Sequence, residues 1–386
     1  MSNADDARVT RFDIDYLRSF ITLLVVAHHS FIAYGVYQHF DAEHYLRGAP
    51  IVDGQRWIVF DVLILLNDIF FMSLMFFISG LFVYRSLERR GLAGFLRERL
   101  VRLGLPFVIA VTCLMPIAYY PSYLLTGARI GLTDFWWQTL TRGPWPGGPA
   151  WFLWVLYAFA ALAALLYRFA PKLLDVTAEV ARIGRQQPAR VFWLFAGVTL
   201  VVYVPMLSAF GPDRWFAKGP FAVQASRVLL YAAFFVGGMG TGMRGLGGGL
   251  LAKDGALARS WMRWVLASTA VFAFVVAVNL ARVHKIIEWP SRVWDVSYAL
   301  LFAPTVVLLS FAVLAVFVRF VWRRSSIWDG LSKHAYAIYV VHYVFVIWLQ
   351  YGLLAWDAPA WVKGVVVLGG ALGLSWLLAG MIRPRR

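Results

Sequence analysis

The sequence predicts an all-α membrane protein, a polytopic transmembrane bundle of about ten helical spans. Three observations predict this class. Of the 386 residues, 61% are hydrophobic and 15% are charged, the mean hydropathy is +0.69, and apolar runs of about 20 residues, the length that crosses a bilayer, recur along the chain. Soluble domains carry about 25% charged residues, so the composition excludes a soluble globular protein.

Short polar links join the ten apolar runs. The spans are predicted at roughly 15–37, 62–84, 104–124, 150–169, 189–208, 224–243, 260–280, 294–322, 336–354 and 361–382. The polar residues 1–14 are expected to form a short cytoplasmic segment before an uncut first span. We expect residues 1–386 to form one domain held by helix packing, because the single cysteine, Cys113, has no disulfide partner.

The basic residues indicate the orientation. If both termini are cytoplasmic, most of the 36 Lys and Arg residues lie on the inner side, as the positive-inside rule requires. The densest group runs from Arg85 to Arg102, and others include Arg8, Arg244 and the tail from Arg383. This bias explains much of the net charge of +16, so nucleic-acid binding is not needed to account for it. We expect a multi-pass protein of the inner cell membrane.

The first span carries a polar stripe. His29 follows Arg18 by about three helical turns, which is roughly 16 Å along the axis at nearly the same azimuth. Asp15 and Thr22 extend the same face. Ionisable groups inside a membrane normally face a protein interior or an aqueous cavity, so His29 is a functional candidate. His28 is rotated by about 100° onto an apolar face, which favours a packing role.

This layout suits a long phosphorylated substrate. A histidine near the bilayer centre can act as a general base, and an arginine at the cytoplasmic surface can hold phosphate. Acyl-coenzyme A has the matching shape, with phosphates at one end and a thioester at the tip of a flexible arm. Arg99 and Arg102 share a helical face just before a span and form a second candidate phosphate site. The alternative is that topology alone requires this basic link.

Five short segments together resemble the acyltransferase 3 family of membrane O-acyltransferases. They are "DIDYLRSFITLLVVAHH" (13–29), "FFISG" (76–80), "FLRERLVRLGLP" (95–106), "AWFLWVL" (150–156) and "YAIYVVH" (336–342). They occur in the family's order across nearly the whole chain. The "ND" before the second span and the "WFL" form are most similar to the stand-alone branch that modifies glucans and other polysaccharides.

The resemblance implies roles for individual residues. His29 would be the general base or a transient acyl carrier, and Arg18 with Asp15 would organise the catalytic cavity. Arg99 and Arg102 would match the family's arginine-x-x-arginine element and clamp the coenzyme phosphates. We expect the chain either to modify its acceptor alone or to hand the acyl group to a separate extracytoplasmic transferase.

One departure from the family pattern limits this transfer of roles. Many members carry a carboxylate in the tryptophan-leucine element, where this chain has Leu156 or Tyr157. The role of that acid is therefore not assigned here.

Other residues are candidates for substrate binding. Ser79 belongs to the "FFISG" segment, with a small-residue helix contact as the alternative, and His342 is expected to line the same cavity as the first-span histidine. Trp151, Glu288 and Trp289 lie in outside links. An aromatic belt at the membrane interface explains part of the tryptophan pattern, and so would an acceptor sugar stacked on aromatic rings.

The sequence thus predicts an enzyme that moves an acetyl or succinyl group from cytoplasmic acetyl- or succinyl-coenzyme A to a hydroxyl of an extracytoplasmic glycan. No metal is expected, because the seven histidines and one cysteine show no ligand spacing. The alternative is a transporter or flippase for a lipid-linked or acidic small molecule. The sequence shows no paired, Gly/Pro-broken spans of the kind such folds often have.

Overall fold

A computed structural model describes residues 11–243 and 245–381. The helices in this part are α1 (Phe12–Ile32), α2 (Ile58–Gly80), α3 (Val83–Arg99), α4 (Leu105–Ile109), α5 (Met115–Leu124), α6 (Leu132–Arg142), α7 (Trp151–Phe169), α8 (Pro171–Ile183), α9 (Pro188–Phe210), α10 (Val228–Met243), α11 (Ala256–Arg259), α12 (Trp261–Val283), α13 (Ser291–Phe320), α14 (Ser326–Gly352) and α15 (Ala360–Met381). Strands β1 (Trp215–Lys218) and β2 (Phe221–Gln224) form one antiparallel hairpin. The all-α class is therefore confirmed. The basic residues Arg8, Arg244 and Arg383, used above for orientation, lie outside the described residues.

Eight of the described helices are long and apolar enough to cross a membrane, and they correspond to eight of the ten predicted spans. The other two are formed by α1, which carries the polar stripe, and by α10, which has 16 residues in the described part and is short for a span. A multi-pass membrane bundle is confirmed. Ten spans and two cytoplasmic termini stay predictions.

One helical run from Val83 to Leu124 changes its geometry where the basic residues lie. Gly91 has a φ of 66°, in the left-handed region that glycine adopts readily, and it kinks α3. Single π-helical turns follow at Leu100–Gly104 and Ala110–Leu114. Because π-turns inside α-helices are frequent at functional sites, the first of them, which contains Arg102, marks this segment as a candidate.

The stripe-bearing helix α1 lies against both α14 and α2. It runs parallel to α14 in a fixed register. The Tyr16 hydroxyl donates to Asp329 at 2.7 Å, and the hydroxyls of Ser19 and Ser332 share a hydrogen bond of 2.8 Å, each pair being 313 residues apart. At the other end, the Gln350 amide donates to two carbonyl oxygens in the last turn of α1. These contacts fix which residues of the two helices lie side by side.

Glycines allow α2 and α10 to pack in backbone contact. A Cβ atom at Gly238 would lie 1.9 Å from the carbonyl oxygen of Phe77, and one at Gly80 would lie 2.2 Å from the carbonyl oxygen of Phe235. Such spacing leaves no room for a side chain, as in small-residue contacts between membrane helices. Gly80 of the "FFISG" segment therefore has the packing role that the sequence offered as the alternative.

Backbone outside the regular α-helices, the 3₁₀ turn Gly148–Ala150, reaches the bundle interior just before α7. A Cβ atom at Gly148 would lie 2.5 Å from the Met115 sulfur, and the Pro149 carbonyl accepts a hydrogen bond of 2.6 Å from the Tyr339 hydroxyl. Irregular backbone at membrane depth is tolerated only where it is buried in protein or lines a cavity. This segment thus forms part of the wall around the middle of α14.

Candidate active site

Aromatic and imidazole rings meet around His29, between α1, α5 and α14. The His29 ring lies 5.5 Å from that of His342, with 30° between the ring planes, and meets Tyr343 edge-on at 4.9 Å. Tyr343 in turn shares a hydrogen bond of 3.2 Å with the hydroxyl of Tyr119. His342 is fully buried and His29 is half-buried. Among the described residues none hydrogen-bonds the His29 ring, so neither ring nitrogen is engaged by the protein.

His28 faces a different helix. Its ring lies 5.1 Å from that of Phe71, on α2, and its buried Nδ1 has no hydrogen-bond partner among the described residues. It meets its neighbour His29 only edge-on, at 5.3 Å. The two histidines thus point to opposite neighbours of α1, as helical geometry predicts. Only His29 belongs to the ring cluster on the α14 side.

Asp15 and Arg18 lie together at the start of α1. An Arg18 Nη2 atom is 3.2 Å from an Asp15 carboxylate oxygen, and the two side chains are 45% and 38% exposed. Thr22 continues the stripe and donates its hydroxyl to the Arg18 carbonyl at 3.1 Å. An exposed pair of this kind contributes little to stability, and it leaves other guanidinium donors available. The helix rise puts the pair about 16 Å from His29, so the structure aligns these residues without bringing them into contact.

Arg99 and Arg102 belong to a cluster of guanidinium groups around one carboxylate. Glu98 pairs with Arg102 at 3.1 Å and with Arg90 at 2.5 Å. The Arg99 guanidinium lies 5.1 Å from the centre of the Phe95 ring, and its buried Nε has no hydrogen-bond partner among the described residues. Three cations beside one anion leave an excess of positive charge, which suits a phosphate-rich ligand.

Helix α14 connects the arginine cluster to the histidines. The Tyr336 hydroxyl donates to the Arg102 carbonyl. Six residues later, about 9 Å along the helix axis, lies His342. Tyr339 stands between them, with its ring 5.9 Å from that of His342. The polar face of α14 therefore runs from the arginine cluster to His29.

Trp151 and Ser79 lie near this face without touching the histidines. Trp151 stacks on Tyr231 at 5.6 Å and is followed by Phe152, whose ring meets that of Tyr339 at 5.6 Å. The Phe152 ring therefore lies between Trp151 and Tyr339. The Ser79 hydroxyl donates to a carbonyl one turn earlier in α2, at 2.8 Å, so it is engaged within its own helix.

Glu288 and Trp289 lie apart from the cluster, on the link between α12 and α13. There the Arg282 guanidinium donates to the Trp289 carbonyl at 3.1 Å and lies 4.9 Å from the centre of the Trp294 ring. Glu288 and Trp289 line an open surface depression on this link. Any ligand bound in it would be held by groups other than those around His29.

Sequence reasoning missed one partly buried ion pair on the His28 side of α1. Arg227 donates to both carboxylate oxygens of Asp68, at 3.0 and 2.6 Å, and its guanidinium lies 5.0 Å from the centre of the Phe302 ring. Asp68 is in the "ND" element, but its partner is 159 residues away. No local signal links the two residues.

Comparison with known proteins identifies the domain. A family model described as an acyltransferase domain, Acyl_transf_3, matches residues 11–380. No curated protein and no solved structure matches the chain. Within residues 11–243 and 245–381, no group of three or more His, Cys, Asp or Glu side chains is placed to hold a metal ion.

Proposed function

The chain belongs to the acyltransferase 3 family and is a membrane acyltransferase, and on that premise we propose that it uses acyl-coenzyme A to acylate an extracytoplasmic carbohydrate. The acyl group is acetyl or succinyl, and the acceptor atom is a hydroxyl oxygen. The protein acts in the inner cell membrane, in the manner of the stand-alone, glucan-modifying branch. The donor is bound from the cytoplasm and the acceptor from the opposite side.

One observation carries this proposal: one face of α14 runs from the arginine cluster, which it contacts at Arg102, to the rings around His29. The coenzyme phosphates would be held by Arg99 and Arg102, whose guanidinium forks match phosphate oxygens. Arg102 already contacts α14 through Tyr336. The flexible arm of the coenzyme would then follow this face toward His29. Asp15 and Arg18, at the same end of the bundle, would organise the entrance.

The chemistry assigned to His29 is proton transfer at the acceptor hydroxyl. As the hydroxyl oxygen bonds to the acyl carbon, His29 takes the hydroxyl proton. The carbon–sulfur bond then breaks, and His29 gives this proton to the coenzyme sulfur. In the other open route a ring nitrogen of His29 bonds to the acyl carbon and the coenzyme leaves as a thiolate; the hydroxyl oxygen then displaces that nitrogen, and its proton goes to the thiolate. In both routes the His29 ring touches the reacting atoms.

The acceptor is proposed to approach past Trp151, which the structure places at the start of α7 rather than in a link, and past Glu288 and Trp289 on the α12–α13 link. Aromatic faces stack on the apolar faces of sugar rings, and carboxylates accept hydrogen bonds from sugar hydroxyls. The depression beside Trp289 is open and combines apolar side chains with the charged Arg282 and Glu288, so it suits a first docking point for a long glycan rather than the reaction centre.

Two measurements test the proposed function. Purified protein in detergent should consume the thioester of acetyl- or succinyl-coenzyme A, whereas a transporter shows activity only in sealed vesicles. Mass spectrometry of cell-envelope polysaccharide, with and without the protein, should reveal the added acyl group. Failure of thioester turnover with both donors, with the glycan unchanged, would refute the proposal.

A further inference from the structure

His342 is a buried histidine whose proton position follows from one hydrogen bond. Its Nδ1 lies 2.7 Å from the carbonyl oxygen of Tyr339. A carbonyl oxygen only accepts hydrogen bonds, so Nδ1 of the neutral ring carries the proton and Nε2 carries the lone pair. His342 is therefore fixed as an acceptor at Nε2.

That Nε2 atom has no hydrogen-bond partner among the described residues, and the side chain is fully buried. Leaving a buried acceptor unpaired destabilises the folded protein. Buried polar groups in proteins are nearly always paired, so an unpaired one in a packed core calls for a functional explanation. The nearby titratable ring of His29, at 5.5 Å between ring centres, supplies one.

We propose that His342 is a positioning residue for His29. When the acceptor hydroxyl is in place, Nε2 of His342 accepts a hydrogen bond from one ring N–H of His29. The other ring nitrogen of His29 then holds its lone pair and points it at the hydroxyl. Catalytic hydrogen bonds are often long in the free enzyme and shorten only with substrate bound. The inference rests on the proposed role of His29.

The contacts around the two histidines favour forming this hydrogen bond by rotation of the His29 side chain, with no shift of the helices. The helix register that joins Ser19 to Ser332 also aligns His29 with His342. The last turn of α1, including the His29 carbonyl, is held by Gln350 at 2.8 Å. The backbones are thus fixed, while no hydrogen bond from the described residues holds the half-buried His29 ring in its orientation. A side-chain rotation is then enough to form the bond.

The expected contribution follows from the chemistry of the partner. A carboxylate that holds a catalytic histidine in its correct tautomer contributes about 10⁴ in kcat in serine proteases. A neutral imidazole stabilises the developing imidazolium less than a carboxylate does. We therefore expect His342 to contribute about 10- to 100-fold in kcat and nothing to coenzyme binding.

The test compares His342→Phe, His342→Gln and the control His334→Phe. His334 lies on the same helix, bonds the Gly330 carbonyl at 2.9 Å and packs on Trp376, so its loss reports only the cost of removing a histidine from α14. The readouts are Kd for acetyl- and succinyl-coenzyme A by titration and kcat for thioester consumption in detergent.

His342→Phe should lower kcat by about 10- to 100-fold with Kd unchanged. His342→Gln should recover part of this loss, because its amide oxygen can accept the same hydrogen bond, and His334→Phe should keep normal kcat. A normal kcat in His342→Phe, equal losses in the Phe and Gln variants, or a parallel loss of coenzyme affinity would overturn the inference. In each of these cases the proposed function still holds if the wild-type protein consumes the thioester and His29→Ala does not. Turnover unaffected by His29→Ala would refute the role of His29 itself.

Discussion

The ring of His29 faces that of His342 at 5.5 Å because α1 and α14 run parallel in one register. The hydrogen bond between Ser19 and Ser332 spans the same 313-residue separation about 15 Å away along the helices. Small polar contacts at one end therefore determine which side chains meet at the other. The histidine pair is a product of helix register, and its chemistry depends on that register being kept.

Removal of either proposed phosphate ligand should weaken coenzyme binding. Arg99→Ala or Arg102→Ala deletes a charge-assisted hydrogen bond to phosphate, worth about 1.5 to 3 kcal/mol, or about ten- to hundredfold in Kd. Lysine should rescue only in part, since it lacks the guanidinium fork. Titration of purified protein with acyl-coenzyme A measures this. Arg97→Ala, an exposed change on the same helix, is the control, and unchanged affinity in both test variants would remove the clamp.

A methyl group at the α2–α10 contact should destabilise the bundle. The Cβ atom of Gly238→Ala would lie 1.9 Å from a backbone oxygen of α2, and overpacking of this kind costs about 1–3 kcal/mol. Gly197→Ala on α9 is the matched control, because no atom lies within 4 Å of its added Cβ. Thermal unfolding in detergent should show a lower Tm for Gly238→Ala alone. Equal Tm values would mean that the two helices separate without cost.

The ion pair between Lys363 and Asp53 should behave as a buried unit. The two side chains are 1% and 2% exposed and lie 2.8 Å apart. Lys363→Met leaves an unpaired buried carboxylate and should cost about 3–5 kcal/mol. The double variant Asp53→Leu/Lys363→Met should recover part of that loss in thermal unfolding. A double variant less stable than either single one would show that the pair does not act as a unit.

The orientation of the bundle predicts opposite labelling of two links. After the exposed Cys113 is replaced by serine, a cysteine at Arg90 should react with an impermeant reagent only from the cytoplasmic side. A cysteine at Trp289 should react only from the other side. Right-side-out and inverted vesicles provide the two measurements. Reaction of both from one face would refute the predicted span count.

Local rules were enough for much of the fold and for one side of the site. Apolar run length located most spans, and helical periodicity separated His29 from His28, whose rings do face different helices. Apolar run length also predicted α1 and α10, although α1 carries the polar stripe and the 16 described residues of α10 are short for a span.

The other side of the site depends on contacts that no local pattern encodes. The approach of Tyr119 to Tyr343 joins residues 224 apart in the chain. The pairing of Glu98 with Arg90 spans the kink at Gly91, whereas its pairing with Arg102 is an ordinary i,i+4 contact. Such relationships arise from packing between helices, and a single sequence carries no record of them.

The most direct test of the account compares His29→Ala with His28→Ala, measured per mole of folded, coenzyme-binding protein. His29→Ala should abolish acyl transfer while leaving coenzyme affinity intact, because proton-transfer residues contribute about 10² to 10⁴ in rate and the phosphates are proposed to bind at the arginine cluster, which His29 does not contact. His28→Ala should keep most of the activity, because its ring packs on α2. Equal loss in the two variants, or loss in His28→Ala alone, would contradict the assignment of His29 as the residue at the reacting atoms.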